Sequence, residues 1–161
     1  MNEQQFWQIV QRAHDSAGGD MGRKCTLLKS AIGTLSAAES RAFAVLFDTM
    51  MERAYSYPLW GAAYVINGGC SDDTFTDFRS ALISRGRTSF ERAVADPDSL
   101  ADEPFDEASW FYEGFQYAVT EGVKAVAGAR PVRQLPDRPS GEEWNDDDLP
   151  ALYPRLADKF M

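Results

Sequence analysis

The sequence predicts an all-α protein, a compact bundle of about six to eight helices. Apolar residues recur at helical spacing over most of the chain, which is typical of amphipathic helices that bury one face. Ser/Thr-x-x-Glu patterns mark helix starts, and glycines mark helix ends. No segment alternates convincingly between apolar and polar residues, so no substantial sheet is expected. The 161 residues, 44% of them hydrophobic, suffice for one such domain.

Three helices are predicted in the first third of the chain. The first covers Phe6–Ala17, the second runs from about Asp20 to Ile32, and a glycine follows each. The third opens at Ser36-Ala-Ala-Glu39, a capping box in which each side chain satisfies a free backbone amide. Its apolar residues between Phe43 and Ala54 form one broad face.

The middle of the chain begins with a short apolar segment, Leu59–Ile66. Periodicity alone leaves a buried helix or a strand open for this segment. Its Ala and Leu content and its helical neighbours favour a helix, with Pro58 in the first turn. A further helix is predicted from about Asp72, and Gly86 ends it.

The second half is predicted as two more helices and a tail. Thr88-Ser-Phe-Glu91 is a second capping box, 97–106 is loop-like, and a long helix covers about Glu107–Ala127. We therefore expect a helical core domain over 1–128. Residues 129–161 are expected to form a Pro-containing acidic tail, with a Pro-rich linker and a short terminal helix that docks on the core.

The acidic charge is concentrated in the second half of the chain. Residues 1–90 carry nine basic and nine acidic residues, whereas 91–161 carry seven and sixteen. Two runs contain no basic residue: Asp96, Asp98, Asp102, Glu103, Asp106 and Glu107, and then Glu142, Glu143, Asp146, Asp147 and Asp148. These runs have two interpretations. They are solvated loops, or they create a negative electrostatic field on one side of the molecule that speeds its encounter with a protein partner that has a basic surface. The net charge of −9 disfavours nucleic acid and membranes as partners.

Sequence motifs for catalysis and for cofactors are largely absent. The chain has one histidine, His14, and no phosphate loop, dinucleotide fingerprint or calcium loop. Its two cysteines do not make a disulfide framework. We expect no cofactor and no metal. The polar N-terminal residues favour a cytoplasmic protein.

The densest polar cluster is the turn Asn67–Asp73, and it has two interpretations. In the structural one, Ser71 or Asp72 caps the following helix and Cys70 is a small buried hydrophobe. In the functional one, adjacent carboxylates bind a hard cation or share a proton beside an arginine. The candidate residues of this pocket or functional turn are Trp60, Tyr64, Asn67, Cys70, Ser71, Asp72, Asp73 and Arg79.

Several blocks of the sequence resemble a known bacterial family. They are Phe6-Trp7, the block from Leu59 to Asp73 (LWGAAYVINGGCSDD), Phe75, Phe78-Arg79, Leu82–Gly86 and Asp96–Ala101. Together they are similar to the family catalogued as domain of unknown function 4240, over about residues 1–127, and the terminal stretch Leu152–Leu156 is also similar. The resemblance implies a helical cytoplasmic domain and no established activity.

Two classes of function remain. The first is a non-catalytic acidic protein-binding module, such as an immunity-type inhibitor that covers a basic toxin or enzyme. The second is a small-molecule or metal-binding protein or an enzyme, with a site around Trp60–Arg79 that uses Asp72 and Asp73. The position of the acids decides between them. One exposed acidic face favours the first, and convergence of Asp72, Asp73 and Arg79 in a pocket favours the second.

Overall fold

The computed structural model describes residues 1–161 as an all-α protein, which confirms the predicted fold class. The α-helices are α1 (Glu3–Ala17), α2 (Met21–Gly33), α3 (Ala37–Arg53), α4 (Tyr57–Asn67), α5 (Asp72–Ser84), α6 (Arg87–Ala95), α7 (Glu107–Trp110), α8 (Gly114–Ala127), α9 (Leu149–Leu152) and α10 (Pro154–Phe160). Two 3-10 helices cover Pro97–Asp102 and Asp146–Asp148. None of these helices combines the length and the apolar character that crossing a bilayer requires.

Side-chain caps set several of the helix starts. Ser36 accepts a hydrogen bond from the Glu39 amide and Glu39 accepts one from the Ser36 amide, so the first predicted capping box is confirmed. The apolar segment Leu59–Ile66, for which periodicity alone left a helix or a strand open, lies within the helix α4. Ser56 caps the start of this helix. That helix ends at Gly68, whose φ of 66° lies in the left-handed region that glycine adopts without strain.

The hydrophobic core lies mainly between α1, α2, α3 and α8, which pack on one another. Phe6 and Phe43 are fully buried, with ring centroids 4.8 Å apart. Phe47 meets Phe115 of α8 at 6.1 Å. Each such ring contributes roughly 1.5–3 kcal/mol to stability through removal of apolar surface from water. The helices α4 and α5 extend this core and carry the polar turn between them.

The long helix expected over Glu107–Ala127 is interrupted. Residues 111–113 are not helical and separate α7 from α8. Trp110 is buried at the end of α7, and the next residue, Phe111, packs on Phe78 with ring centroids 5.3 Å apart. Successive side chains of a helix point about 100° apart. A continuous helix would therefore not direct both rings into the core, and tertiary packing overrides the local pattern.

The second predicted capping box, at Thr88, is wrong. The helix α6 begins at Arg87, and its N-cap is Gly86, which makes no side-chain cap bond. The φ of Gly86 is 101°, and a Cβ there would overlap the side chain of Gln11. The chain thus passes from α5 to α6 through a glycine with a positive φ, and α6 starts one residue before Thr88. The segment expected to be loop-like begins with the 3-10 helix Pro97–Asp102.

The C-terminal segment, residues 129–161, runs back over the helical body. The carboxylate of Asp48 accepts two hydrogen bonds from the Arg130 guanidinium, at 2.5 and 2.8 Å. Ser140 exchanges backbone hydrogen bonds with the residues around Ser56, in an isolated bridge. Leu149, Tyr153 and Leu156 are buried with the main core. These contacts bring the second acidic run to the first.

Candidate functional site

The C-terminal segment lies across α4 and forms one wall of a surface groove. Nε1 of Trp144 donates a hydrogen bond to the carbonyl oxygen of Tyr57 (2.8 Å), and the Tyr153 hydroxyl donates one to the carbonyl oxygen of Pro58 (2.5 Å). Gly61 permits this close approach, because a Cβ at that position would overlap both aromatic side chains. The groove is thus built from residues that are far apart in sequence.

This groove, which we call the acidic groove, brings the two acidic runs together. Its volume is about 590 Å³. Five carboxylates from the two runs line it: Asp96, Asp98, Glu142, Glu143 and Asp148. Trp144, Leu152 and Tyr153 supply an apolar part of the lining, and no lysine or arginine lines it. A concave surface of this kind concentrates negative potential at one place on the molecule.

Three acids of the first run hold the fold together. Asp98 accepts hydrogen bonds from two successive backbone amides of α10, at 2.9 and 3.2 Å. Asp102 forms ion pairs with two arginines, and Glu103 pairs with the largely buried Arg85. Asp102 and Glu103 are compensated by arginines, and the Asp98 carboxylate is held by backbone amides, so these three contribute less to an outward field than their sequence positions suggest.

The other acids of both runs lie at the surface. Asp146 accepts a hydrogen bond from the Tyr64 hydroxyl (3.1 Å), and Asp106 accepts one from Ser109. Glu143 lies 3.8 Å from Arg138 in a long, exposed pair. The side-chain carboxylates of five acids have no hydrogen-bond or ion-pair partner within the chain: Asp96, Glu107, Glu142, Asp147 and Asp148. Three of these five line the acidic groove.

The polar side chains of the turn between α4 and α5 mainly stabilise the turn itself and the start of α5. The Asn67 side-chain amide donates to the Gly69 carbonyl oxygen (2.9 Å), and Ser71 caps α5 by accepting from the Thr74 amide (3.2 Å). Asp72 and Asp73 lie in the first turn of α5 and are exposed. There they complement the positive end of the helix dipole.

Arg79 lies beneath this turn and is buried, with only 2% of its surface exposed. Its guanidinium donates hydrogen bonds to the Met51 carbonyl oxygen (2.8 Å) and to Thr76 (3.2 Å). The guanidinium carbon lies 4.5 Å from the ring centroid of Tyr55 and 4.9 Å from that of Phe75. Burial lowers the pKa of Arg79 to about 10. Its contacts stabilise the packing of α5 on α3 and do not form an open anion site.

Cys70 is partly buried, and burial raises the pKa of its thiol to about 12. The thiol is therefore protonated near neutral pH and is a poor nucleophile. Together with Trp60 and Tyr64 it lines a second, smaller cavity of about 220 Å³. Tyr57, Glu143 and Trp144 complete this lining.

Sequence reasoning missed two residues of this cavity, Tyr57 and Trp144. Trp144 comes from the second acidic run, more than seventy residues away from the turn in sequence. A large aromatic residue inside a run of acids was the available signal, because such a ring needs an apolar surface to cover it.

The other residues that could take part in catalysis or bind a metal do not cluster at one site. His14 lies on α1, and burial together with the nearby charge of Lys24 lowers its pKa. No group of three or more His, Cys, Asp or Glu side chains is arranged to hold a metal ion. Asp72, Asp73 and Arg79 do not meet in either of the two cavities.

A model of the family described as a protein of unknown function, DUF4240, matches residues 1–125. The chain belongs to this family. The matched DUF4240 region covers α1 to α7 and most of α8, so it includes Asp96 and Asp98 but not Glu142, Glu143 or Asp148. One wall of the acidic groove thus lies inside the DUF4240 match and the other lies outside it. No curated protein and no solved structure matches the chain.

Proposed function

We propose that this protein is a non-catalytic binding module whose acidic groove receives a protein partner with a basic surface. The observation that carries the proposal is the convergence of the two acidic runs, with Asp96 from one and Glu142 and Asp148 from the other. A basic toxin or enzyme that the module inhibits, in the manner of an immunity protein, is one such partner. A cytoplasmic location, which the sequence favours, is part of this proposal.

The composition of the groove supports recognition of cationic side chains. Lysine and arginine of a partner would meet Asp96, Glu142 and Asp148, three carboxylates of the lining that have no internal cation to displace. Trp144 and Tyr153 add ring surface on which the apolar stems of those side chains pack. Exposed ion pairs contribute only about 0.2–1 kcal/mol each. Charge complementarity here would therefore act more strongly on the rate of association and on specificity than on affinity.

The local geometry of the turn supports a binding role over a catalytic one. Ser71 is occupied as a helix cap and Arg79 is buried under aromatic rings. The Cys70 thiol is protonated near neutral pH because burial raises its pKa to about 12. A nucleophile next to a base, which covalent catalysis requires, is missing at the turn.

The test uses a short oligo-arginine peptide as the probe and isothermal titration calorimetry as the readout. The groove variant Asp96→Asn/Glu142→Gln/Asp148→Asn changes only side chains without internal partners. The control variant Asp15→Asn/Glu107→Gln/Asp137→Asn removes the same charge from exposed acids outside the groove. With about 0.5 kcal/mol per ion pair, the groove variant should bind about tenfold more weakly than wild type.

The control variant should stay within about twofold of the wild-type affinity, because its acids contribute only to the screened long-range field. Equal weakening in both triple variants would reject the groove as the recognition surface, since only net charge would then matter. Unchanged binding in the groove variant would reject it as well.

A further inference from the structure

The smaller cavity beside the acidic groove, which we call the aromatic pocket, is walled by four rings. Tyr57 and Trp60 lie nearly parallel, with planes 7° apart and centroids 6.5 Å apart. Tyr64 and Trp144 pack on each other at 57°, with ring centroids 5.1 Å apart, and together form another part of the wall. The pocket has a volume of about 220 Å³, enough for a small ligand group but not for a large ligand.

The polar atoms of three of these rings already form hydrogen bonds within the protein. Nε1 of Trp60 donates to the Cys70 carbonyl oxygen (2.9 Å), and Nε1 of Trp144 donates to the Tyr57 carbonyl oxygen (2.8 Å). The Tyr64 hydroxyl donates to Asp146 (3.1 Å). A ligand in the pocket therefore meets ring faces, a protonated thiol and one carboxylate, that of Glu143.

These features select a particular class of cation. Ring faces attract positive charge, most strongly when the face belongs to tryptophan. A primary ammonium or a guanidinium carries several N–H donors, and each donor that loses water without a new acceptor destabilises the complex. Among the side chains that line the pocket, only the Glu143 carboxylate, the Tyr57 hydroxyl and the thiol remain as acceptors for such donors. A quaternary ammonium has no N–H donor, so its transfer into the pocket leaves no hydrogen bond unmade.

We propose that the aromatic pocket binds a quaternary ammonium group, carried by a small molecule such as choline or by a trimethylated lysine side chain. Glu143 supplies the compensating negative charge at the mouth of the pocket, where its side chain is 67% exposed. This inference does not depend on the proposed protein partner, because Asp96, Glu142 and Asp148 do not line the aromatic pocket.

An internal cation already lies at the rim of the pocket. The Arg138 side chain, 76% exposed, lies 3.8 Å from Glu143. Hydrogen bonding to the Tyr57 hydroxyl raises the pKa of Arg138. No lysine or arginine of the chain lies over the rings of Tyr57, Trp60, Tyr64 or Trp144, so no internal cation occupies those rings. Arg138 competes with a ligand for Glu143, and its removal should tighten binding.

The experiment titrates the full-length protein with choline and with 3,3-dimethylbutan-1-ol, a neutral molecule of the same shape. Two of the four tryptophans line the pocket, while Trp7 and Trp110 are buried in the core, so intrinsic fluorescence reports occupancy alongside calorimetry. Choline should bind about 5- to 30-fold more tightly than the alcohol, which corresponds to the cation–π contribution of about 1–2 kcal/mol. A second arm compares N-acetyl-trimethyllysine amide with N-acetyl-lysine amide, and the tighter of choline and the trimethyllysine derivative identifies the source.

Variants locate the site. Trp144→Leu and Tyr64→Leu should each weaken choline binding by about 5-fold or more, whereas Tyr117→Leu, an exposed ring on α8, should not change it. Glu143→Gln alters an exposed side chain, so it keeps the proposal testable if the ring variants fail to fold. It should weaken binding about 2- to 5-fold, and Arg138→Gln should strengthen it by a similar factor.

The proposal is overturned if neither choline nor the trimethyllysine derivative gives a saturable signal, or if the neutral alcohol binds as tightly as choline. It is also overturned if Tyr117→Leu weakens binding as much as Tyr64→Leu does. None of these results bears on the oligo-arginine test of the acidic groove, because the groove variant leaves every residue of the aromatic pocket unchanged.

Discussion

Replacement of Gly61 by alanine should destabilise this protein, although the same change in most helix interiors is stabilising. Gly61 is buried inside α4. A Cβ there would lie closer than 3.0 Å to two atoms of the Tyr153 side chain and to Nε1 of Trp144. Both aromatic side chains are hydrogen-bonded to carbonyl oxygens of α4, so neither can retreat without losing that bond.

The change in the free energy of unfolding is the sum of one stabilising and two destabilising contributions. Alanine gains about 1 kcal/mol over glycine in a helix interior. Overpacking costs about 1–3 kcal/mol, and loss of the two hydrogen bonds costs about 1 kcal/mol each. The free energy of unfolding should therefore fall by about 2–4 kcal/mol. Urea unfolding, followed by circular dichroism and by tryptophan fluorescence, measures the change.

Gly33 provides a matched control, because it is also helical and a Cβ there meets nothing within 4 Å. Gly33→Ala should be neutral or should stabilise by up to about 1 kcal/mol. The reasoning is refuted if Gly61→Ala is as stable as wild type or more stable, since the C-terminal segment would then not need the close approach to α4.

Two further predictions concern the turn and a buried lysine. Ser71→Ala removes the hydrogen bond to the Thr74 amide and should lower the free energy of unfolding by about 0.5–2 kcal/mol. Asp73→Asn should lower it by less, because it alters only a screened dipole interaction. Urea unfolding measures both variants, and a larger loss of stability in Asp73→Asn would contradict this prediction. Burial, with a smaller contribution from Arg85, lowers the pKa of Lys24 from 10.5 to about 8. The unfolded chain therefore holds more protons between about pH 8 and 10.5, so the stability of wild type relative to Lys24→Met should rise across that window. Melting temperatures of both proteins at stepped pH check this, and a difference that does not vary with pH would be evidence against it.

Much of the fold was predictable because its helices are marked locally. The apolar spacing around Phe43 and the capping box at Ser36 depend only on neighbouring residues, and both predictions are confirmed. The break after Trp110 was not predictable in this way. It depends on the contact of Phe111 with Phe78, which comes from another helix. The same holds for Gly86, whose φ and whose contact with Gln11 place the start of α6.

For the candidate site, too, local features were predictable from the sequence and long-range contacts were not. The two acidic runs were visible in the sequence as charge, but their meeting depends on how Trp144 and Tyr153 dock beside Gly61. The internal role of Asp98, which caps α10, was likewise hidden, because its partners lie more than fifty residues away. Local patterns identify which side chains carry charge, whereas long-range packing decides which of them remain available to a partner.

The rate at which the oligo-arginine peptide associates, measured by stopped flow at increasing sodium chloride, tests electrostatic recognition by the groove most directly. Steered association weakens as the screening length falls, to about 10 Å at 0.1 M salt. Wild type should show a steep decrease, and the control variant, which lacks three distant charges, a slightly smaller one. The groove variant should associate more slowly at low salt and show a shallower decrease. A groove variant with the wild-type rate and the wild-type salt dependence would contradict the assignment of the acidic groove as the partner-binding surface.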